Sequence, residues 1–128
     1  MVTKQGSAIA AFGLALVVSS CSTEPDPPYA EFVVQVETET FVARIADPAA
    51  IVQFRQAMAG SRAGFPAGPL RPGDGGFNSP WSWHLDPGET NLVEAAIEVC
   101  DGMPSYVETH KSDFPTYCPW GARIVAER

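Results

Sequence analysis

A few histidine and carboxylate side chains are the residues of this chain that could do acid–base chemistry. His84 lies in a tryptophan-rich stretch and Glu98 in the next apolar stretch, so the two could meet across a hairpin. Such a pair can transfer protons near neutral pH, and Asp86 or Asp101 would extend it to a metal-binding set. No glycine-flanked nucleophile, zinc-binding helix or phosphate loop occurs. The simpler interpretation is a structural hydrogen bond from His84, with no catalytic residue, metal or cofactor.

The N-terminus has the organisation of an export signal. Lys4 precedes an apolar run over residues 8–18, whose helical length of about 16 Å is too short for a bilayer core of about 30 Å. The run ends at Val18-Ser19-Ser20-Cys21, which resembles the lipobox of bacterial lipoproteins. That resemblance implies removal of residues 1–20 and acylation of Cys21, by palmitate or similar chains that hold the protein on a membrane. An ordinary signal peptide with an unmodified Cys21 is the alternative.

Charge separates the expected anchor from the expected domain. Cleavage removes Lys4 but none of the fifteen acidic residues, which takes the formal net charge from −7 to −8. Anionic lipids and nucleic acids both repel such a chain, so no nucleic-acid partner is expected and the lipid must supply the membrane attachment. Residues 21–29 are rich in proline and form a stiff, polar tether. Residues 30–128 have the length of one domain.

The two remaining cysteines predict a disulfide. If Cys21 is acylated, Cys100 and Cys118 are an even pair in an exported chain, where thiols oxidise. A bridge between them would stabilise a small domain by about 3 kcal/mol. A metal site that uses both thiolates is the alternative, but the chain contains no pair of cysteines two residues apart.

Aromatic residues are the candidates for a binding surface. The set comprises Trp81, Trp83, Tyr106 and Trp120, with His84 beside the first two. Core packing is the simpler interpretation. Any members that are exposed would form a contact patch, because aromatic side chains dominate interface energetics. Residues 60–80 hold six glycines and four prolines, so we expect a long irregular loop that is functional or flexible and forms the rim of that patch.

Local patterns predict an α+β fold. Asp47 and Pro48 are a typical N-cap and first helical residue, and Gly60 is a typical helix end. A type II turn is expected at residues 86–89. The expected elements are strands at 31–36, 38–45, 81–85, 95–100 and 122–126, and helices at 48–59 and 104–112. This order favours an antiparallel sheet with two helices on one face, as in the ferredoxin-like split βαβ plan.

Four motifs together resemble a known family. They are Trp81-Ser82-Trp83-His84-Leu85-Asp86-Pro87, Ala96-Ile97-Glu98-Val99-Cys100-Asp101, Pro104-Ser105-Tyr106-Val107-Glu108 and Cys118-Pro119-Trp120. The family is labelled calmodulin-binding-protein-like, after the N-terminal domain of a secreted slime-mould protein. The resemblance implies a compact secreted domain with both cysteines as signature positions and no catalytic residue. Calmodulin targets are basic amphipathic helices. This chain is acidic, so calmodulin binding is not expected.

These observations lead to one main hypothesis and two alternatives. The main one is a non-catalytic, lipid-anchored binding domain on the bacterial cell envelope, exposed outside the cell or in the periplasm. Its partner would be an unknown protein or small molecule. The alternatives are a secreted proteinase inhibitor and a small hydrolase or metal-binding protein around His84 and Glu98.

Overall fold

A computed structural model describes residues 28–96 and 99–128, together with Gly13 and Ala15. The predicted signal sequence, Cys21 and most of the tether lie outside the described residues. So does Glu98, the proposed partner of His84. Among the described residues, no helix has the length and apolar character needed to cross a membrane.

The first sheet has three strands in the order β2-β1-β7. Strand β1 spans Ala30–Val36, β2 spans Glu39–Ile45 and β7 spans Arg123–Glu127. Both pairings are antiparallel, and a register shift between Val33 and Val34 marks an irregularity beside β7. Alternate residues of β1 are fully buried, as expected for a strand with one face on the core. The strands predicted at both ends of the domain are confirmed.

Helix α1 spans Pro48–Met58 and begins and ends at the predicted signals. Asp47 Oδ1 accepts a hydrogen bond of 3.0 Å from the backbone N–H of Ala49, which satisfies one of the unpaired donors of the first turn. Gly60 follows the helix with φ of 79°, a conformation that favours glycine. Phe54 is fully buried against Phe32 of β1, with 5.2 Å between ring centroids.

The second sheet is built around a strand that the sequence analysis missed. Strand β3, Phe65–Pro72, pairs antiparallel with β5 (Asn91–Val93), β6 (Thr116–Tyr117) and β4 (Trp83–Leu85), in three short ladders. The prediction of an irregular loop over residues 60–80 is therefore wrong for 65–72. Gly68 is required there because Thr90 occupies the space of a side chain. Pairing with distant segments overrides the weak local preference of proline and glycine for strands.

Three other predictions need correction. Among residues 95–100, those that the structure describes form no strand, because the pairing segment is Asn91–Val93 instead. Helix α2 covers only Pro104–Thr109, and a 3-10 turn at Lys111–Asp113 follows it. The turn at residues 86–89 forms, but Gly88 lacks the positive φ that a type II turn requires.

One apolar core joins the two sheets and both helices. Phe41 of β2, Trp83 of β4 and Tyr117 of β6 contact one another, with ring centroids 5.3 to 5.6 Å apart. The α+β class with antiparallel sheets and two helices is confirmed. The specific ferredoxin-like plan differs from the structure, because the strands form two sheets rather than one.

Candidate functional site

The Cys100–Cys118 disulfide is present, as the cysteine count predicts. The two Cα atoms are 5.1 Å apart, and the backbone N–H of Cys118 donates to the Cys100 carbonyl over 2.8 Å. Both cysteines are buried. The bridge therefore fixes the segment before α2 to the segment after β6.

An apolar surface lies beside this disulfide. Two adjoining hollows of about 270 and 250 Å³ share Ala95 and Ala96, and the first is also lined by both cysteines. Trp120 lines the second hollow and is 50% exposed. We use the name disulfide shelf for the surface formed by Phe65, Val93, Ala95, Ala96 and Trp120.

Asp101 holds Trp120 in place. Its Oδ1 accepts hydrogen bonds from the backbone N–H groups of Gly102, at 2.9 Å, and Trp120, at 2.8 Å. These bonds join the chain on the two sides of the disulfide. The carboxylate suggested as part of a metal set is thus a positioning group of the disulfide shelf.

Tyr106 is the second exposed aromatic of the predicted set. It is 51% exposed and stacks on His110, with ring centroids 3.9 Å apart and an interplanar angle of 13°. It also meets Phe114 edge-on. Because these contacts cover part of its ring, Tyr106 has less free aromatic face than its exposure suggests.

The prediction that Trp83 and Trp81 belong to a contact patch is wrong. Trp83 is fully buried in the core, and its Nε1 has no hydrogen-bond partner among the described residues. Trp81 is partly buried and stacks on Trp83, and its Nε1 donates to the Thr40 carbonyl over 2.9 Å. Both rings fasten β4 to the first sheet.

His84 stabilises a turn. Its Nδ1 lies 2.7 Å from the Gly73 carbonyl oxygen, and its ring meets Phe77 edge-on. Asp86, the nearest carboxylate in sequence, accepts a hydrogen bond of 2.9 Å from Arg71, which holds the pKa of Asp86 below its ordinary value. Within the described part of the chain, no three His, Cys, Asp or Glu side chains are grouped to hold a metal ion.

Sequence reasoning missed a polar cluster between β4 and α2. The Ser82 hydroxyl donates to Glu108 over 2.7 Å, and the Ser82 backbone N–H donates to the same carboxylate over 3.0 Å. Lys111 Nζ donates to the Ser82 oxygen over 2.5 Å. The hydrogen bonds from Ser82 lower the pKa of Glu108. Because the carboxylate accepts the hydroxyl hydrogen, the arrangement joins two elements rather than presenting a nucleophile. The spacing of Glu108 and Lys111 was the available signal, but Ser82 comes from a distant segment.

Comparison with known proteins identifies a family. No curated protein and no solved structure matches the chain. A family model described as the N-terminal domain of calmodulin-binding protein 74 matches residues 26–128, and it is the calmodulin-binding-protein-like family that the four motifs resemble. Since the match covers well over half of the sequence, the chain belongs to this N-terminal domain family, a family of binding-protein domains.

Proposed function

We propose that this protein is a non-catalytic, lipid-anchored binding domain of the bacterial cell envelope, and that it contacts a protein partner through the disulfide shelf. The observation that carries the proposal is Trp120, a tryptophan that is 50% exposed and rests on an apolar surface braced by a disulfide. A large exposed aromatic on a rigid support is the usual centre of a protein interface.

The chemistry of the disulfide shelf indicates the kind of side chain that it binds. The hollow next to the disulfide is lined mainly by small or apolar groups, among them Ala67, Val93 and both cysteines. An apolar side chain of the partner fits there. Glu94 lines the neighbouring hollow and is exposed, so a basic residue on the partner would complement it. Two of the four family motifs supply residues to this surface, namely Ala96 and Trp120 with the two cysteines.

Trp120→Ala tests the contact surface. Envelope extract crosslinked to the wild-type protein should yield a partner that Trp120→Ala recovers at least about tenfold less well, as is typical of a central aromatic. Tyr106→Ala is the matched control, because Tyr106 is equally exposed but lies outside the disulfide shelf. Equal recovery by Trp120→Ala and the wild type would overturn this use of the shelf.

The lipid anchor is the second part of the proposal and is tested separately. Its support is the step Val18-Ser19-Ser20-Cys21 at the end of the apolar run. Mass spectrometry of the membrane-extracted protein should find Cys21 as an acylated first residue, and Cys21→Ser should move the protein to the soluble fraction. Cys118→Ser is the control, since it removes the disulfide and leaves the lipobox intact. An unprocessed chain with Met1 would contradict the anchor without affecting the contact surface.

A proteinase inhibitor remains the alternative function from the sequence analysis. A screen against serine and cysteine proteases tests it, and absence of inhibition at micromolar concentration would end it.

A further inference from the structure

The basic residues of this acidic domain are unequally engaged. Seven of the eight Lys and Arg residues lie from residue 28 onward. Five of them have side-chain partners: Arg44 and Arg128 bind Glu31, Arg55 binds Glu127, Arg71 binds Asp86 and Glu89, and Lys111 binds Ser82. For Arg62 and Arg123, the described parts of the chain supply no side-chain hydrogen bond or ion pair. With so many carboxylates available, two unpaired guanidinium groups call for an explanation.

Arg62 and Arg123 line the same groove. It has a volume of about 500 Å³ and runs between the end of α1 and strand β7. Met58 contributes from the helix side and Val125 from the strand side, and these side chains are 37% and 39% exposed. The groove therefore combines two free positive charges with exposed apolar surface.

The strand that lines this groove is at the edge of its sheet. In the order β2-β1-β7, β1 occupies one side of β7, and no other described strand pairs with it. Successive residues of an antiparallel strand direct their backbone groups to alternate sides, so about half of those of β7 point away from β1. Such an edge is a template for pairing with another extended segment.

We propose that this groove binds an extended peptide that carries carboxylate side chains, which adds as a further strand to β7. Backbone hydrogen bonds to β7 would hold the peptide in register. Arg62 and Arg123 would bind its carboxylates, while Met58 and Val125 would contact its apolar side chains. This site is separate from the disulfide shelf, and it does not depend on the proposed lipid anchor.

A labelled peptide of alternating glutamate and valine residues tests the proposal by fluorescence anisotropy against the purified full chain in mild detergent. The peptide should bind the wild type, with weaker binding as salt concentration rises. The same peptide with lysine in place of glutamate should not bind. Arg62→Gln combined with Arg123→Gln should weaken binding about tenfold, because both charge contacts are lost.

The matched control replaces the two cations that line another cleft, in Arg71→Gln combined with Lys111→Gln. It changes the net charge equally, but both residues already have partners, so peptide affinity should not change. N-methylation of alternate peptide nitrogens should abolish binding in one of the two possible phases, since only one edge of the peptide faces β7. Equal weakening by both double variants, indifference to N-methylation in both phases, or no binding to the wild type would each overturn the proposal.

Discussion

The two edges of the first sheet differ in how their backbone groups are satisfied. At the β2 edge, the Thr40 carbonyl accepts from Trp81 Nε1 over 2.9 Å, and the Val42 N–H donates to Asn78 Oδ1 over 2.8 Å. Side chains from the segment before β4 thus take the place of a neighbouring strand. At the β7 edge, the exposed side chains of Arg123 and Val125 lie beside a groove. A single sheet therefore has one edge closed for stability and one edge available for binding.

The largest effect is expected from opening the closed edge with Asn78→Ala. Asn78 is 1% exposed, accepts from Val42 and donates to the Trp83 carbonyl over 2.7 Å. Its removal leaves two buried backbone groups without partners, at about 1–3 kcal/mol each. We expect the free energy of unfolding to fall by about 3 kcal/mol in urea denaturation. A loss below about 1 kcal/mol would show that this edge does not need closing.

A smaller effect is expected from Trp81→Phe. The substitution keeps an aromatic ring against Trp83 and removes only the donor to the Thr40 carbonyl. Loss of one ordinary hydrogen bond should lower the free energy of unfolding by about 1 kcal/mol. Thr40→Ala is the control, because it retains the backbone carbonyl and should have less effect. If Trp81→Phe equals the wild type, the indole contributes by packing alone.

Acidification should weaken the link between the closed edge and α2. The bonds from Ser82 hold the pKa of Glu108 below its ordinary value. The folded state therefore gains stability above about pH 4.3, the ordinary value for glutamate, and this gain is lost as pH falls through the lowered pKa. Because the site is partly exposed, we expect less than about 1 kcal/mol. Thermal unfolding of Glu108→Gln should show a shallower loss of stability on acidification than the wild type, and parallel curves would contradict this assignment.

The smallest effect on stability is expected at the open edge, from Arg123→Ala. This exposed side chain has no ion-pair partner in the described residues, so the free energy of unfolding should change by less than about 0.5 kcal/mol. Affinity for the glutamate–valine peptide should fall in the same variant. Destabilisation comparable with that of Asn78→Ala would mean that both edges are structural.

Prediction from sequence succeeded where the signals are local and failed where the partner is distant. The Asp47-Pro48 start and Gly60 end of α1 act within one helical turn. Strand β3 was missed because its prolines and glycines indicate a loop, and only pairing with β4, β5 and β6 makes it a strand. Within the candidate site, the cysteine pair was predicted correctly. Trp83 and Trp120 could not be distinguished, since an aromatic residue carries the same local signal whether it is buried or exposed.

The sequence alone determined the family, the α+β class, the disulfide partners and the limits of α1, because each depends on residue type and short spacing. Tertiary structure decided which aromatic residues remain exposed, which sheet edge is closed and which two arginines lack a carboxylate. These properties depend on which segments meet in space. No local pattern specifies that Asn78 reaches Val42, or that Arg62 and Arg123 line one groove.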